Sequence, residues 1–338
     1  MKRFIDLNEE PVALEQALVR MGLILKGSKT NLVALTGGVS SNIFRIDLPS
    51  GSVCLKQALP QLKVQKEWLA PISRVFAEID WLEVAHKIIP HHVPKIVAID
   101  RECGAFVMEF VSSSETWKSK LLQGLVDMAF GTSVAECIAK VHQATARNKD
   151  IQQRFAHDGT FYLIRLEPYL IETARVNPDL ARQLIGLVAT TQSTPLALVH
   201  GDVSPKNILL HHDGPVLLDA ECAWYGDPVF DLAFLLNHVL LKSAHLPIHG
   251  ASFASLFESM VMTYLSMVNW EPREDFDHRC ARLIPGLLLA RVDGKSPVEY
   301  LDEDAQKVVR QEARLLILEP PQGLLDLHRR WLWGKARA

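Results

Sequence analysis

Long apolar runs are missing from this sequence of 338 residues. No stretch reaches the roughly 18 consecutive apolar residues that a membrane-spanning helix needs. The first 22 residues have a charged tip but no apolar core of signal-peptide length before acidic residues arrive. Cysteine is scarce: Cys54, Cys103, Cys137, Cys222 and Cys280 are odd in number and scattered, with no Cys-x-x-Cys pair. That pattern excludes a disulfide framework and a thiolate zinc site, and it predicts reduced thiols in a cytoplasmic protein. An excess of one charge is also missing, since 36 Lys and Arg face 39 Asp and Glu for a formal charge of -3. No nucleic-acid footprint follows from such a balance. Internal repeats, low-complexity tracts and long linkers are absent as well, as are a Walker A sequence and a complete G-x-G-x-x-G.

What is present is apolar content of 48%, enough for a sizeable core. Residues 9–21 carry Val12, Leu14, Ala17, Leu18 and Met21 at helical spacing, and Gly22 stops them. Between 31 and 58 the pattern turns to strands. LVALT leads into Thr36-Gly37-Gly38-Val39-Ser40-Ser41-Asn42, IFRIDL alternates, Pro49-Ser50-Gly51 turns the chain, and SVCLK returns. A helical stretch is expected over 62–89, broken near Pro71, and two more strands at PKIVAID and GAFVMEF. From 112 onward helical periodicity dominates, apart from a β-rich stretch at about 196–219. The expectation is an α+β protein with a β-rich part, 1–111, and a mostly helical part, 112–338.

Residues 198–236, LVHGDVSPKNILLHHDGPVLLDAECAWYGDPVFDLAFLL, are the most informative. An apolar run delivers His200-Gly201-Asp202, and Asn207 follows five positions later. A hairpin at His212-Asp213-Gly214 then returns a strand that ends at Asp219. Phosphoryl transfer needs a carboxylate beside the acceptor hydroxyl and oxygen ligands for Mg²⁺. Asp and Asn also favour ordinary turns, so the types alone would not decide the matter. His211 and His212 read as a solvated hairpin tip, because no third ligand has suitable spacing.

His-Gly-Asp-x-x-x-x-Asn with a further Asp downstream is similar to the catalytic loop and metal motif of aminoglycoside phosphotransferase and choline kinase-like enzymes. Asp219-Ala220-Glu221 looks like the Asp-x-Glu variant of methylthioribose kinases. The resemblance implies a bilobal protein-kinase-like fold, with a small antiparallel sheet in the N-lobe. It implies Asp202 as the base or hydroxyl-orienting residue, and Asn207 and Asp219, assisted by Glu221, as Mg²⁺ ligands. In that family the histidine at the place of His200 shapes the loop. The aspartate at the place of Asp231 braces it by accepting backbone hydrogen bonds. Asp227 before Pro228 reads locally as a helix N-cap.

On the nucleotide side, Gly37, Gly38, Ser40 and Ser41 would cradle phosphate with backbone N–H groups and hydroxyls. A tight hairpin would explain the same residues. Lys56 looks like the kinase lysine that contacts the α- and β-phosphates of ATP. Glu78 is the preferred partner for it, with Glu67 and Glu83 as rivals. The strand AFVMEFV resembles a hinge strand in which Glu109 and Val111 offer backbone groups to adenine. Ser112–Glu115 reads as a capping box for the next helix.

Two features depart from protein kinases. Ser204 stands where Asp-x-Lys would place a lysine, and too few residues separate Asp219 from Asp227 for an activation segment. Both favour a small hydroxyl-bearing acceptor over a polypeptide, and nothing favours nucleic acid or a membrane as partner. Trp224 and Tyr225 are candidates to wall the acceptor pocket or simply to pack, and Arg291, Asp293 and Lys295 to reach the acceptor or to mark a surface turn. The resulting expectation is an ATP- and Mg²⁺-dependent small-molecule kinase. A regulatory pseudokinase and an atypical protein kinase are its alternatives.

Overall fold

A computed structural model describes residues 4–28, 31–35, 40–61, 70–112 and 115–331. Chain contacts divide it into two compact units, Met1–Ser112 and Ser113–Ala338. The expected glycines Gly37 and Gly38, the helical reading of 62–69, the rival Glu67, and Ser113 and Ser114 of the capping box lie outside the described residues.

In the first unit, helix α1 (Pro11–Arg20) begins with proline at its first turn and ends before Gly22, whose φ of 70° suits glycine. Five strands follow the alternating runs: β1 (Asn31–Ala34), β2 (Ser41–Leu48), β3 (Gly51–Ala58), β4 (Ile96–Asp100) and β5 (Ala105–Glu109). They form one antiparallel sheet in the order β1-β2-β3-β5-β4. Because side chains alternate across a strand, β3 sends Val53 and Leu55 to one face and Cys54 and Lys56 to the other. Leu14, Ala17 and Leu18 of α1 pack with Phe44, Ile46, Val53, Leu55 and Val107 on the first face. Helix α2 (Arg74–Ile88) brings Glu78 to Lys56 on the second.

In the second unit, α3 (Trp117–Leu122) starts at Thr116, whose side chain caps it. The helix start therefore falls just beyond the expected Ser112–Glu115 box. Helices α4 (Met128–Thr145), α5 (Lys149–Arg154) and α6 (Asp158–Phe161) lead into a π-helical segment, Tyr162–Ile171. Pro168 lies inside that segment, where the missing N–H and the ring disfavour regular α-helix. Then come α7 (Glu172–Val176) and α8 (Ala181–Gln192). The predicted β-rich stretch contains β6 (Ala197–Val199), β7 (Ile208–His211) and β8 (Gly214–Leu217), and β9 (Trp224–Gly226) follows beyond its expected end. β6 pairs with β9, and β7 with β8 as a hairpin.

Helix α9 (Val229–His245) is buried from Val229 to Ala244, as its nearly all-apolar surface demands. Around it pack α10 (Gly250–Met267), α11 (Arg273–Asp293) and α12 (Glu303–Leu318), and α13 (Leu324–Arg330) closes the described chain. Among the described residues no single helix is long and apolar enough to cross a membrane.

Candidate active site

Strand β6 delivers His200, Gly201 and Asp202 into a buried turn, and a short 3₁₀ turn, Pro205–Asn207, follows. Gly201 has φ of 78°, and a Cβ there would sit 2.7 Å from the carbonyl oxygen of Cys222. Both facts require glycine. Asp231, in the first turn of α9, accepts the backbone N–H of His200 at 2.7 Å and of Gly201 at 2.8 Å. Its Oδ2 also accepts from His142 Nε2 at 3.1 Å. A carboxylate bonded this way fixes the loop backbone and takes no part in chemistry.

His200 is held in one tautomer. Its Nδ1 accepts the N–H of Asp202 at 3.2 Å, so Nε2 carries the proton and donates to the Leu218 carbonyl at 3.2 Å. Burial lowers its pKa, against the attraction of Asp231 and Asp202. A neutral imidazole committed at both nitrogens is a loop brace.

Three donors converge on one oxygen of Asp202. Oδ2 receives Arg165 Nη2 at 2.8 Å, Asn207 Nδ2 at 2.9 Å and, more loosely, Lys206 Nζ at 3.4 Å. Arg165 is buried, and its Nε donates to the Gly201 carbonyl at 2.6 Å. Burial alone would weaken its charge, but the Asp202 carboxylate more than offsets that and raises its pKa. Lys206 is likewise raised, chiefly by Asp202. Sequence reading passed over Arg165 because its π-helical segment lies far from the loop in the chain. Its one signal is an arginine at the centre of the apolar run FYLIRLEPYL.

Asn207 spends its amide N–H groups on the backbone and side chain of Asp202, which leaves its carbonyl oxygen as the possible ligand. Asp219 follows β8 with φ of 69°, a left-handed conformation uncommon outside glycine. Glu221 is buried two residues later, and the charges of Asp219 and Glu221 are both felt at Cys222. An amide oxygen and two carboxylates make an all-oxygen donor set, which fits a hard divalent cation. At the hairpin tip the expectation needs correction. Asp213 lies 3.2 Å from His212 Nε2 and 3.7 Å from His211 Nδ1, so a third potential ligand is present.

The first unit holds the expected nucleotide-side residues. Lys56 Nζ meets Glu78 at 2.8 Å to Oε1 and 2.7 Å to Oε2, and both side chains are buried. Glu83 is exposed on the same helix. Ser40 and Ser41 are buried, and the Ser41 hydroxyl has no hydrogen-bond partner among the described residues. A residue missed in the sequence, Arg74, donates to the carbonyls of Ser40 and Leu59, each at 2.7 Å. It fastens the chain just after the glycine-rich segment. Glu109 ends β5 with its N–H given to the Lys95 carbonyl at 2.9 Å, and Val111 is half-buried two residues on.

The acceptor-side candidates separate cleanly. Trp224 stacks on Phe161 with ring centroids 4.1 Å apart, and Tyr225 hydroxyl donates to the Leu196 carbonyl at 2.8 Å. Both pack. Asp293 pairs with Arg310 at 2.9 Å, and Lys295 with Glu167 at 2.8 Å. Arg291 is different: its Nη1 reaches Tyr169 hydroxyl at 3.1 Å and Ser296 at 3.0 Å, while its Nε has no partner among the described residues.

Residues 31–247 match the profile described as "Phosphotransferase enzyme family". Among curated relatives, methylthioribose kinase of Yersinia enterocolitica is 26% identical over 233 residues, covering 61% of this chain and 58% of its own. That of a Geobacillus species is 24% identical over 269 residues, covering 70% and 67%. The chain thus spans about three-fifths of the first relative's length. Among solved structures, choline kinase from Cryptosporidium parvum is 14% identical with a TM-score of 0.58, covering 96% of this chain and 99% of its own. An amicoumacin kinase is 16% identical with a TM-score of 0.55, covering 95% and 97%. Likeness at this level shows the fold alone. It is protein-kinase-like, a five-stranded antiparallel sheet followed by a largely helical region.

Proposed function

The chain belongs to the phosphotransferase enzyme family, and on that premise we propose that it transfers the γ-phosphoryl group of ATP to a hydroxyl of a small molecule. The observation that carries this reading is the buried Asp202 carboxylate, ion-paired with Arg165 and Lys206 and hydrogen-bonded by Asn207 on the same loop. A carboxylate held in place this way can orient an incoming hydroxyl for in-line attack and accept its proton. Attack forms the O–P bond to the acceptor as the bond from the γ-phosphorus to the β,γ-bridging oxygen breaks, and ADP leaves.

The carbonyl of Asn207 and the carboxylates of Asp219 and Glu221 would hold Mg²⁺, which when bound offsets charge on the phosphates. Lys56, fixed by Glu78, would contact the α- and β-phosphates. Gly37, Gly38, Ser40 and Ser41 would supply N–H and hydroxyl donors, and backbone groups of Glu109 and Val111 would meet adenine. The domain assignment follows the same reading, with 1–111 binding nucleotide and 112–338 binding acceptor. Supporting a small acceptor, only Ala220–Gly226 lie between Asp219 and Asp227, too little chain for a peptide platform. The test is Asp202→Asn, with turnover and Mg-ATP affinity measured together. Turnover should fall by at least about 10³-fold while ATP affinity stays within about threefold. Loss of ATP binding instead would contradict the assigned role.

A further inference from the structure

Helix α9 carries Phe234, His238 and Lys242 four residues apart, so they form one stripe along its surface. Two of its members are ionisable groups buried on a helix that packs in the core. Lys242 is 1% exposed and His238 is 6% exposed. Lys242 Nζ makes one long contact, 3.5 Å to the His238 carbonyl, and lies 5.0 Å from the centroid of Tyr300. No carboxylate pairs with it among the described residues. Its position in the last turn of α9 gives it some support from the helix dipole, which is a weak return for burying an ammonium.

Other donors near the stripe are also unspent. Among the described residues His238 Nδ1, Arg291 Nε and Tyr300 hydroxyl are buried without hydrogen-bond partners. Buried polar atoms are nearly always satisfied, so several together call for a missing partner. Lys242 and His238 both sense the charges of Lys118 and Arg291, and His238 senses Lys206 as well. Glu299 is the acidic group that opposes them, and it is bonded to Lys118. Burial and these like charges push the Lys242 pKa down to about 7. The cluster is a concentration of positive charge that an anion would relieve.

The cluster also adjoins the catalytic loop. Arg165, which holds Asp202, lies 5.8 Å from the centroid of Tyr169 and 5.8 Å from that of Phe234. Arg291 lies 5.6 Å from the same Tyr169 ring, and the Phe234 ring is 5.4 Å from that of His238. One aromatic side chain therefore separates the guanidinium at the reacting carboxylate from the one at the cluster.

We propose that Lys242, His238, Arg291 and Tyr300 form the subsite that fixes the acceptor, and that the acceptor is a hydroxyl compound bearing a compact oxyanion, a carboxylate or a phosphate. This deepens the reading of the chain as a small-molecule kinase and rests on it. The oxyanion accepts from the ammonium, the guanidinium and the phenol, and the hydroxyl end of the same molecule meets Asp202. Neutral sugars and cationic amino alcohols lack the group that would repay the buried charge, and are poor acceptors.

The experiment uses the full chain with Mg-ATP and matched acceptors: glycerol, glycerate and glycerol 3-phosphate; glucose, gluconate and glucose 6-phosphate; and ethanolamine. Anionic members should be phosphorylated at least about 10-fold more efficiently than their neutral partners, the carboxylate and phosphate arms telling which oxyanion fits. Lys242→Met and, separately, Arg291→Gln should each lower kcat/KM for the anion at least about 10-fold with KM for ATP unchanged. Turnover confined to neutral or cationic acceptors would overturn the subsite and leave the kinase reading standing. If no acceptor reacts, calorimetry of the same anions with Asp202→Asn decides the subsite separately. Binding that Lys242→Met abolishes upholds it, while no binding, or binding indifferent to Lys242, overturns it.

Discussion

Among the described residues two lysines are buried, one in each unit, and they differ in whether a carboxylate meets them. Lys56 in β3 is 3% exposed and meets both oxygens of Glu78. Lys242 in α9 is 1% exposed and meets only a carbonyl at 3.5 Å. A buried cation with its own carboxylate is complete within the fold and arrives at its ligand already oriented. A buried cation without one destabilises the fold and is explained by a partner that the fold does not contain. The same comparison extends to their neighbours. Near Lys242 several donors are unspent, whereas Arg74, in the unit of Lys56, gives its guanidinium to four carbonyls.

The contrast breaks most visibly if the pair is split. Glu78→Gln removes the carboxylate charge that faces the buried Lys56 ammonium, and should cost about 3–5 kcal/mol in denaturant unfolding. The double variant Lys56→Met/Glu78→Leu should recover most of that loss, because replacing a buried pair by apolar groups is often neutral. Lys242→Met should do the opposite of Glu78→Gln and stabilise the ligand-free chain by about 1 kcal/mol or more near neutral pH. A destabilised Lys242→Met would remove the contrast.

The gain from Lys242→Met should depend on pH in a set direction. The folded-state pKa of Lys242 lies at about 7, below the value of about 10.4 for an unfolded lysine. Between the two, the unfolded chain binds the extra proton, so the wild type gains stability as pH rises. The advantage of Lys242→Met is therefore largest at and below pH 7 and shrinks toward pH 10, as read from unfolding free energies of both proteins. The smallest effect serves as the control. Glu136 and Lys140 form an exposed pair four residues apart on α4, and breaking it with Glu136→Ala should change stability by no more than about 0.5 kcal/mol.

What could be read in the sequence was whatever is local in the chain. The strands followed alternation, α1 followed its apolar spacing and Gly22, and the catalytic loop lay within residues 198–236. Glu78 could be singled out because α2 follows the Lys56 strand. Partners fixed by long-range packing were not legible. Arg165 acts on Asp202 from a π-helical segment whose register depends on Pro168, and Arg74 gathers carbonyls from several turns. His238 and Lys242 sat in an apolar run, LAFLLNHVLLKSAH, and only their spacing of four residues hinted at a shared face. Asp213 escaped notice as a possible ligand because a two-residue turn folds it back onto both imidazoles.

The central claim is phosphoryl transfer to a small alcohol, and the most direct measurement is phosphorus NMR of the products formed from ATP, Mg²⁺ and the acceptor panel. The account predicts stoichiometric ADP and a new phosphate monoester on the acceptor, both lost in Asp202→Asn. ADP accompanied only by inorganic phosphate, or phosphate carried on polypeptide, would contradict it.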